Sequence, residues 1–376
     1  GGKPCFAQGC PPVCREESEN IRAGEIEGEL FMLRGKNIIL AVTGSIAAYK
    51  IAYLASMLKK LEADVTVLMT ENAVNFINPI TFETLTGNKC LIDTFDRNFE
   101  YNVEHVSLAK RTDVVLVAPA TANVIGKLAN GIADDMLTTT VMACECKKIV
   151  APAMNTHMYH NPIVQDNIKK LQHYGMEVVM PDTGYLACGD IGEGKMPSEH
   201  ILLEYILKEV CWEKDLLGKK ILVTAGPTQE KMDPVRYITN HSTGKMGYAI
   251  ARHCMQRGAE VTLVTGKTQL ERPLFVHTVE VESAGDMFQA VRDCFEEQDM
   301  IIKSAAVADY RPVNVSEEKV KKRDGELSIA LERTEDILQF LGENRRPGQL
   351  LCGFSMETEN MVENSRAKLE KTHADM

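Results

Sequence analysis

Two stretches decide the reading of the fold: Lys36-Asn-Ile-Ile-Leu-Ala-Val-Thr-Gly-Ser45 and Lys219-Lys-Ile-Leu-Val-Thr-Ala-Gly-Pro-Thr228. Each is a short run rich in β-branched and aliphatic residues that stops at a glycine. Each is followed by a helix-like stretch and a second strand, Ala63 to Thr70 in one half and Ala259 to Gly266 in the other. Strand, loop, helix, strand is the rhythm of a parallel βαβ unit, whose phosphate-binding edge lies where strands end and helices begin. The repeat therefore predicts an α/β chain of two Rossmann-like domains, each with a parallel sheet and an anion-binding edge. Further strands are expected at Asp113 to Ala118, Lys148 to Pro152, Glu177 to Pro181, Asp299 to Ala305 and Gln349 to Phe354. Helices are expected at Thr121 to Ala129, Pro162 to Tyr174, Ser198 to Cys211 and Ala284 to Glu297.

A length of 376 residues fits two domains of ordinary size. The expected boundaries are a flexible leader at 1–34, a first domain at 35–211, a junction near Trp212 to Leu217, and a second domain at 218–376. With 44% hydrophobic and 25% charged residues, the composition is that of a soluble globular protein. No apolar run approaches the roughly 20 residues of a membrane helix. A net charge of -11 opposes a nucleic-acid partner, because a phosphate backbone is repelled by such a field. No signal-peptide pattern opens the chain, so a cytoplasmic location is expected, with the 11 cysteines as thiols. Cys5, Cys10 and Cys14 sit in the leader, and Cys144 and Cys146 are too close together for one tetrahedral site. No metal ligand set is assigned.

In the first half, the loop Thr43 to Lys50 carries Gly44 and Ser45 before a helix, which suits a phosphomonoester and lacks the dinucleotide G-x-G-x-x-G pattern. Three more strand-end loops offer Thr121 and Asn123, then Met154 and Asn155, then Cys188 among glycines. Taken singly, Cys188 reads as a buried thiol, His105 as a hydrogen-bonded surface histidine and Asn155 as a helix cap. His157, His160 and Cys90 read as structural. Taken together, Pro152, Met154, Asn155 and Met158 match the P-x-M-N-x-x-M motif, and Ala187 to Met196 match the flap, of the flavin-dependent cysteine decarboxylases, which this half resembles over about residues 35 to 210. His105 aligns with the histidine before the A-P-A-T-A-N motif. The resemblance implies a flavodoxin-like fold of the homo-oligomeric flavin-containing cysteine decarboxylase class. It also implies FMN held by Gly44, Ser45, Thr70, Ala118, Thr121, Asn123 and Met154. The flavin would oxidise the substrate's cysteine-derived thiol and later return hydride. Cys188 would donate a proton, Asn155 would hold the substrate carboxylate, and His105 would orient the reacting group.

The second half carries an insertion in its first crossover, Glu230 to Lys245, and long loops at a ligand edge are more often functional than decorative. The segments Ala225 to Glu230, Asp233 to Gly247, Ala305 to Tyr310, Lys319 to Lys322 and Gly353 to Thr358 resemble those of the phosphopantothenate-cysteine ligases. The resemblance implies activation of a carboxylate by CTP as an acyl-cytidylate, with Mg²⁺ bridging the phosphates. Lys319 and Lys368 would meet phosphate charge, Asp309 the cytosine amino group, and Phe354 the base. Ala305 would line the site, Asn240 would serve turnover of the acyl-cytidylate, and Arg236 would meet the pantothenate carboxylate or an intermediate. Singly, Lys319 to Arg323 is a solvated charge run and Asp309 a helix cap.

As a whole the chain resembles the bifunctional phosphopantothenoylcysteine decarboxylase and phosphopantothenate-cysteine ligase family of coenzyme A biosynthesis. The small-molecule partners implied are 4′-phosphopantothenate, cysteine, CTP and phosphopantothenoylcysteine. The assembly implied is a homo-oligomer, a trimer-based shell such as a dodecamer. Three departures stand out. The sequence stops at Met376, before the A-N-x-x strand that the family carries, so the ligase half is expected to be incomplete. Thr372 stands where a second CTP-contacting lysine is usual, with Lys371 one position early, and Lys303 replaces a small residue. A decarboxylase with an inactive second half and a regulatory flavin-binding subunit remain alternatives. A nicotinamide dehydrogenase rests on fold alone.

Overall fold

The computed structural model describes residues 32–94, 104–185, 189, 191–321, 328–357 and 359–376. Residues 1–31 of the expected leader, Cys188, and Lys322 and Arg323 of the charge run lie outside them. The chain divides into two units, one ending at Cys211 and one beginning at Trp212.

The first unit is built on a five-stranded sheet of β1 (Asn37–Val42), β2 (Asp64–Met69), β3 (Val114–Ala120), β4 (Lys147–Pro152) and β5 (Glu177–Val178). Its order is β2-β1-β3-β4-β5, and every pairing is parallel. That is the flavodoxin-like order, with a switch point between β1 and β3. The central strands are apolar throughout because both faces are covered. Ile38, Leu40 and Val42 join one core with α1 (Ala48–Lys60) and α9 (Glu199–Val210), while Ile39 and Ala41 join a second with α5 (Ala122–Ala129) and α8 (Pro162–His173). The remaining helices of this unit are α2 (Glu71–Val74), α3 (Pro79–Thr86), α4 (Glu104–Arg111), α6 (Met136–Ala143) and α7 (Thr156–Tyr159). An antiparallel hairpin, β6 (Asp182–Tyr185) with β7 (Ile191–Lys195), stands outside the sheet.

The second unit has the sheet order β12-β11-β8-β13-β16, again parallel, from β8 (Lys220–Ala225), β11 (Glu260–Thr265), β12 (His277–Glu280), β13 (Met300–Lys303) and β16 (Leu350–Gly353). Chain order along it is third, second, first, fourth, fifth, the Rossmann arrangement, with the switch point between β8 and β13. Helices α10 (Lys245–Gln256), α11 (Ala284–Cys294), α12 (Ile337–Asn344) and α13 (Met361–Thr372) accompany it. Ser283 and Asp286 form a capping box at the start of α11. The expected helix to Glu297 ends instead at Cys294 and tightens into a 3₁₀ turn over Phe295–Glu297.

The crossover insertion forms a hairpin, β9 (Gln229–Lys231) with β10 (Tyr237–Thr239), before α10 begins. A second hairpin pairs β14 (Tyr310–Pro312) with β15 (Leu331–Arg333). Strand β14, not a helix, directly follows Asp309, so the helix-cap reading of that residue is corrected: its carbonyl accepts from Thr334 N, and the cap of α12 is Asp336. On the free side of β16, Asp375 N donates to Leu351 O at 2.8 Å and Gly353 N to Met376 O at 2.8 Å. Among the described residues no helix is long and apolar enough to cross a membrane.

Candidate active sites

In the first unit a threonine ties the switch point together. Thr43, fully buried, donates from Oγ1 to Pro119 O at 2.6 Å and accepts from Thr121 N at 3.1 Å. The β1 and β3 loops are thereby locked side by side. Thr121 also caps α5 and Thr70 caps α2, which positions their hydroxyls at helix starts. Ser45 accepts from Ala47 N at 3.3 Å just before α1. Gly44 is required by packing, since a Cβ there would lie 2.7 Å from Asn72 Cβ.

The hairpin β6–β7 closes over the loop after β4. Met154 N donates to Gly194 O at 3.0 Å, and Gly194 has φ 127°, where a Cβ would come 2.3 Å from Met154 O. Only glycine fits that crossing. Asn155 caps α7, its Oδ1 accepting from His157 N at 2.8 Å, so the helix-cap role is real and fixes the side chain at the mouth of a cavity. That cavity, about 430 Å³, is lined by Ser45, Lys50, Met154, Asn155, Tyr185 and Lys195 among others. Lys50 Nζ donates to Met196 O at 3.3 Å, bridging α1 to the end of the hairpin.

Of the expected site residues, Ser45, Met154 and Asn155 line the cavity. Gly44, Thr70, Ala118 and Thr121 stand at the neighbouring strand ends, and Asn123 is exposed on α5. His105 lies half-buried on α4 and is not a lining residue. His160 pairs with Glu193 of β7 at 3.3 Å. Burial, with Glu83 adding to it, pushes the Cys90 thiol up to about 12, which suits an inert core cysteine. Lys50, Tyr185 and Lys195 were not picked out by sequence reasoning; the glycine spacing of 184, 189, 192 and 194 was the available sign that a hairpin brings two of them in.

The cavity suits a flavin mononucleotide. Its volume falls within the roughly 300–1,000 Å³ of small-ligand sites, its walls are largely apolar, and a hydroxyl and helix start face it. Thr156 Oγ1, buried against Gly192, makes no hydrogen bond among the described residues.

The second unit repeats the device at its own switch point. Thr224 Oγ1 accepts from Ala305 N at 3.2 Å, Thr228 Oγ1 accepts from Ala308 N at 2.9 Å, and Ala306 N donates to Gly226 O at 3.0 Å. Asn240 Nδ2 donates to Val307 O at 3.0 Å. The loops bearing Asn240, Ala305 and Asp309 are thus held together by three side-chain-to-backbone bonds and one between backbones.

Asp233, buried, accepts from the N–H groups of Val235, Arg236 and Val320 and meets Arg236 Nε at 3.2 Å. Burial opposes its charge, but these donors outweigh it and hold the carboxyl below the usual range. Arg236 also donates to Val320 O, so its guanidinium braces the segment that carries Lys319. Lys319, Asp309, Phe354 and Lys368 are exposed. A cavity of about 520 Å³ lies beside α10, with Ser242, Thr243, Lys245 and Lys267 in its wall. Among the described residues no group of three or more His, Cys, Asp or Glu side chains is placed to hold a metal.

Two family models match: Flavoprotein over residues 28–211, and DNA/pantothenate metabolism flavoprotein C-terminal domain over residues 216–376. The coenzyme A biosynthesis bifunctional protein CoaBC of Bacillus subtilis (strain 168) is 44% identical over 348 residues, 92% of this chain and 86% of that protein. The solved C-terminal domain of a coenzyme A biosynthesis bifunctional protein CoaBC aligns at 52% identity over 43% of this chain and 76% of that one, with a TM-score of 0.38. The solved FMN-dependent cysteine decarboxylase SpaF aligns at 34% identity over 44% of this chain and 91% of that one, with a TM-score of 0.39. By these matches the chain belongs to the family of bifunctional coenzyme A biosynthesis enzymes.

Proposed function

We propose that the second unit joins 4′-phosphopantothenate to cysteine at the expense of CTP, and that the first unit decarboxylates the resulting phosphopantothenoylcysteine to 4′-phosphopantetheine. The observation that carries the first activity is the seam between Gly194 and Met154, which sets Asn155 at the mouth of a cavity of flavin size. FMN, when bound, supplies the electron sink that lets the carboxylate leave as carbon dioxide.

The chain's own groups do the rest. Ser45 and the start of α1 would hold the phosphate of the cofactor. Asn155 donates to the substrate carboxylate before it leaves, and Lys50 and Lys195 complement the substrate's negative charge. His105 orients the reacting group. Cys188, whose ordinary pKa of about 8.5 keeps it protonated near neutrality, delivers the final proton to carbon.

For the second activity, the pantothenate carboxylate attacks the α-phosphorus of CTP and pyrophosphate leaves. The cysteine amine then displaces CMP from the acyl-cytidylate. Lys319 and Lys368 neutralise phosphate charge, Asp309 accepts from the cytosine amino group, and Phe354 covers the base. Asn240, anchored on Val307 O, serves the displacement, and Arg236 supports Lys319 through Val320. A cytoplasmic homo-oligomer, trimer-based in the first unit, completes this reading.

The test is anaerobic incubation of FMN-loaded wild type and Cys188→Ser with phosphopantothenoylcysteine, following carbon dioxide, 4′-phosphopantetheine and the flavin spectrum. Product from wild type, and a mutant that releases carbon dioxide but stalls before phosphopantetheine, are expected. A flavin-loaded wild type that releases no carbon dioxide would sink the decarboxylase assignment and favour the regulatory flavin-binding reading.

A further inference from the structure

Lys303 closes β13 at the switch point of the second unit, where open α/β sheets bind their ligands. It aligns with Thr224 of β8 on one side and Gly353 of β16 on the other, and its carbonyl accepts from Phe354 N at 3.2 Å. Alternation along β13 fixes its face. Ile302 packs into the core beneath α10 and Ile301 into the core of α11 and α12, so Lys303 stands on the α11 and α12 side.

The side chain is partly buried, and among the described residues its ammonium makes no hydrogen bond and has no carboxylate within 4.0 Å. The charges that bear on it are Asp336 at the cap of α12, Lys368 on α13 and Asp309 in the loop after β13. Burial pushes this ammonium below the ordinary lysine range; Asp336 and Asp309 oppose that shift and Lys368 adds to it. An amine withdrawn from water without a paired carboxylate, and facing a second ammonium, is uncompensated until an anion arrives. A structural lysine would instead be expected to touch Asp336 or Asp309.

We infer that Lys303, together with Lys368, forms a contact for a phosphate group of a ligand bound in the β8–β13 crevice. The nucleotide triphosphate is the favoured source, because Lys303 adjoins Phe354 and the Ala305 to Asp309 loop; the phosphate ester of phosphopantothenate is the other. The inference rests on the ligase reading above. It carries a linkage that a packing role lacks: an anion raises the pKa of the amine, so binding takes up protons in the window between the lowered pKa and the value restored by the anion.

The experiment is calorimetric titration of the full chain with CTP, and separately with 4′-phosphopantothenate, in buffers of differing ionisation enthalpy, for wild type, Lys303→Met and Lys303→Arg. Thermal unfolding serves as the control for folding. Wild type should take up protons on binding at alkaline pH below the ordinary lysine pKa of about 10.4. Lys303→Met should bind about tenfold more weakly without uptake, as for loss of a charge-assisted hydrogen bond, and Lys303→Arg within a few-fold of wild type, also without uptake. The titrant whose affinity falls identifies the phosphate that is held. Unchanged affinity for both ligands in Lys303→Met, or uptake that persists in both variants, overturns the inference. Failure of wild type to bind either ligand overturns the ligase reading itself, and the inference with it.

Discussion

The two units solve one topological problem in two ways. Each brings a β-strand loop against its neighbour at a switch point, and each uses a buried threonine: Thr43 against Pro119 and Thr121, Thr224 against Ala305. The first unit then lays a hairpin along its site and leaves a half-open cavity with mostly apolar walls. The second leaves Lys319, Asp309 and Phe354 exposed, with the loop of Asp309 tied down by side-chain-to-backbone hydrogen bonds with Asn240 and Thr228. An aromatic cofactor that carries electrons is served by exclusion of water, whereas a polyphosphate is served by charges that stay hydrated until it binds.

The sharpest way to break that comparison is the hairpin seam. Gly194→Ala places a methyl against Met154 O and strains a φ of 127°, so it should cost about 1–3 kcal/mol locally and strip the flavin. Flavin retained on a desalting column, with an unchanged unfolding midpoint, would refute the hairpin's role as a cover. Next in size are Thr43→Val and Thr224→Val. The first leaves Thr121 N without its buried acceptor and the second does the same to Ala305 N, each costing about 1–3 kcal/mol. Because the units are separately compact, each substitution should lower its own calorimetric transition and spare the other. A single transition shifted equally by both would contradict separate units.

A smaller effect separates the sites by pH. The carboxyl of Asp233 is depressed in the folded state, so its contribution is present above the unfolded value of about 3.9 and is lost as pH falls through its lower folded value. Acid should therefore loosen the β9–β10 hairpin and the Lys319 segment below about pH 3.9, and Asp233→Asn should remove that dependence. Hydrogen exchange at Val235, Arg236 and Val320 reads it directly; identical acid profiles for both proteins would rule it out. Smallest of all is Arg272→Ala, which breaks an exposed pair with Glu280 at 2.6 Å and should shift stability by less than about 1 kcal/mol in urea unfolding.

Much of this was legible in the sequence, for identifiable reasons. Parallel strands covered on both faces are continuous apolar runs, so β1, β2, β3, β8 and β11 announced themselves. The short hairpins did not. β6, β7, β14 and β15 are mostly exposed, and their pairing depends on tertiary contacts such as Met154 with Gly194. Asn155 was legible as both cap and ligand, and its cap hydrogen bond is what aims it. Arg236 was read as a ligand residue from its motif; its guanidinium also meets Asp233, three residues away, and Val320, 84 residues on, the second a contact that no local pattern encodes. Lys50 lay in a quoted loop without a role, because only the fold brings it to Met196.

The most direct test of the account is to supply the purified, FMN-loaded full chain with 4′-phosphopantothenate, cysteine, CTP and Mg²⁺, and to measure pyrophosphate, carbon dioxide and 4′-phosphopantetheine together. A bifunctional enzyme predicts all three in equal amounts, with pyrophosphate and carbon dioxide both absent when CTP is withheld. Carbon dioxide from added phosphopantothenoylcysteine, but no pyrophosphate from the complete mixture, would contradict it and leave a decarboxylase alone.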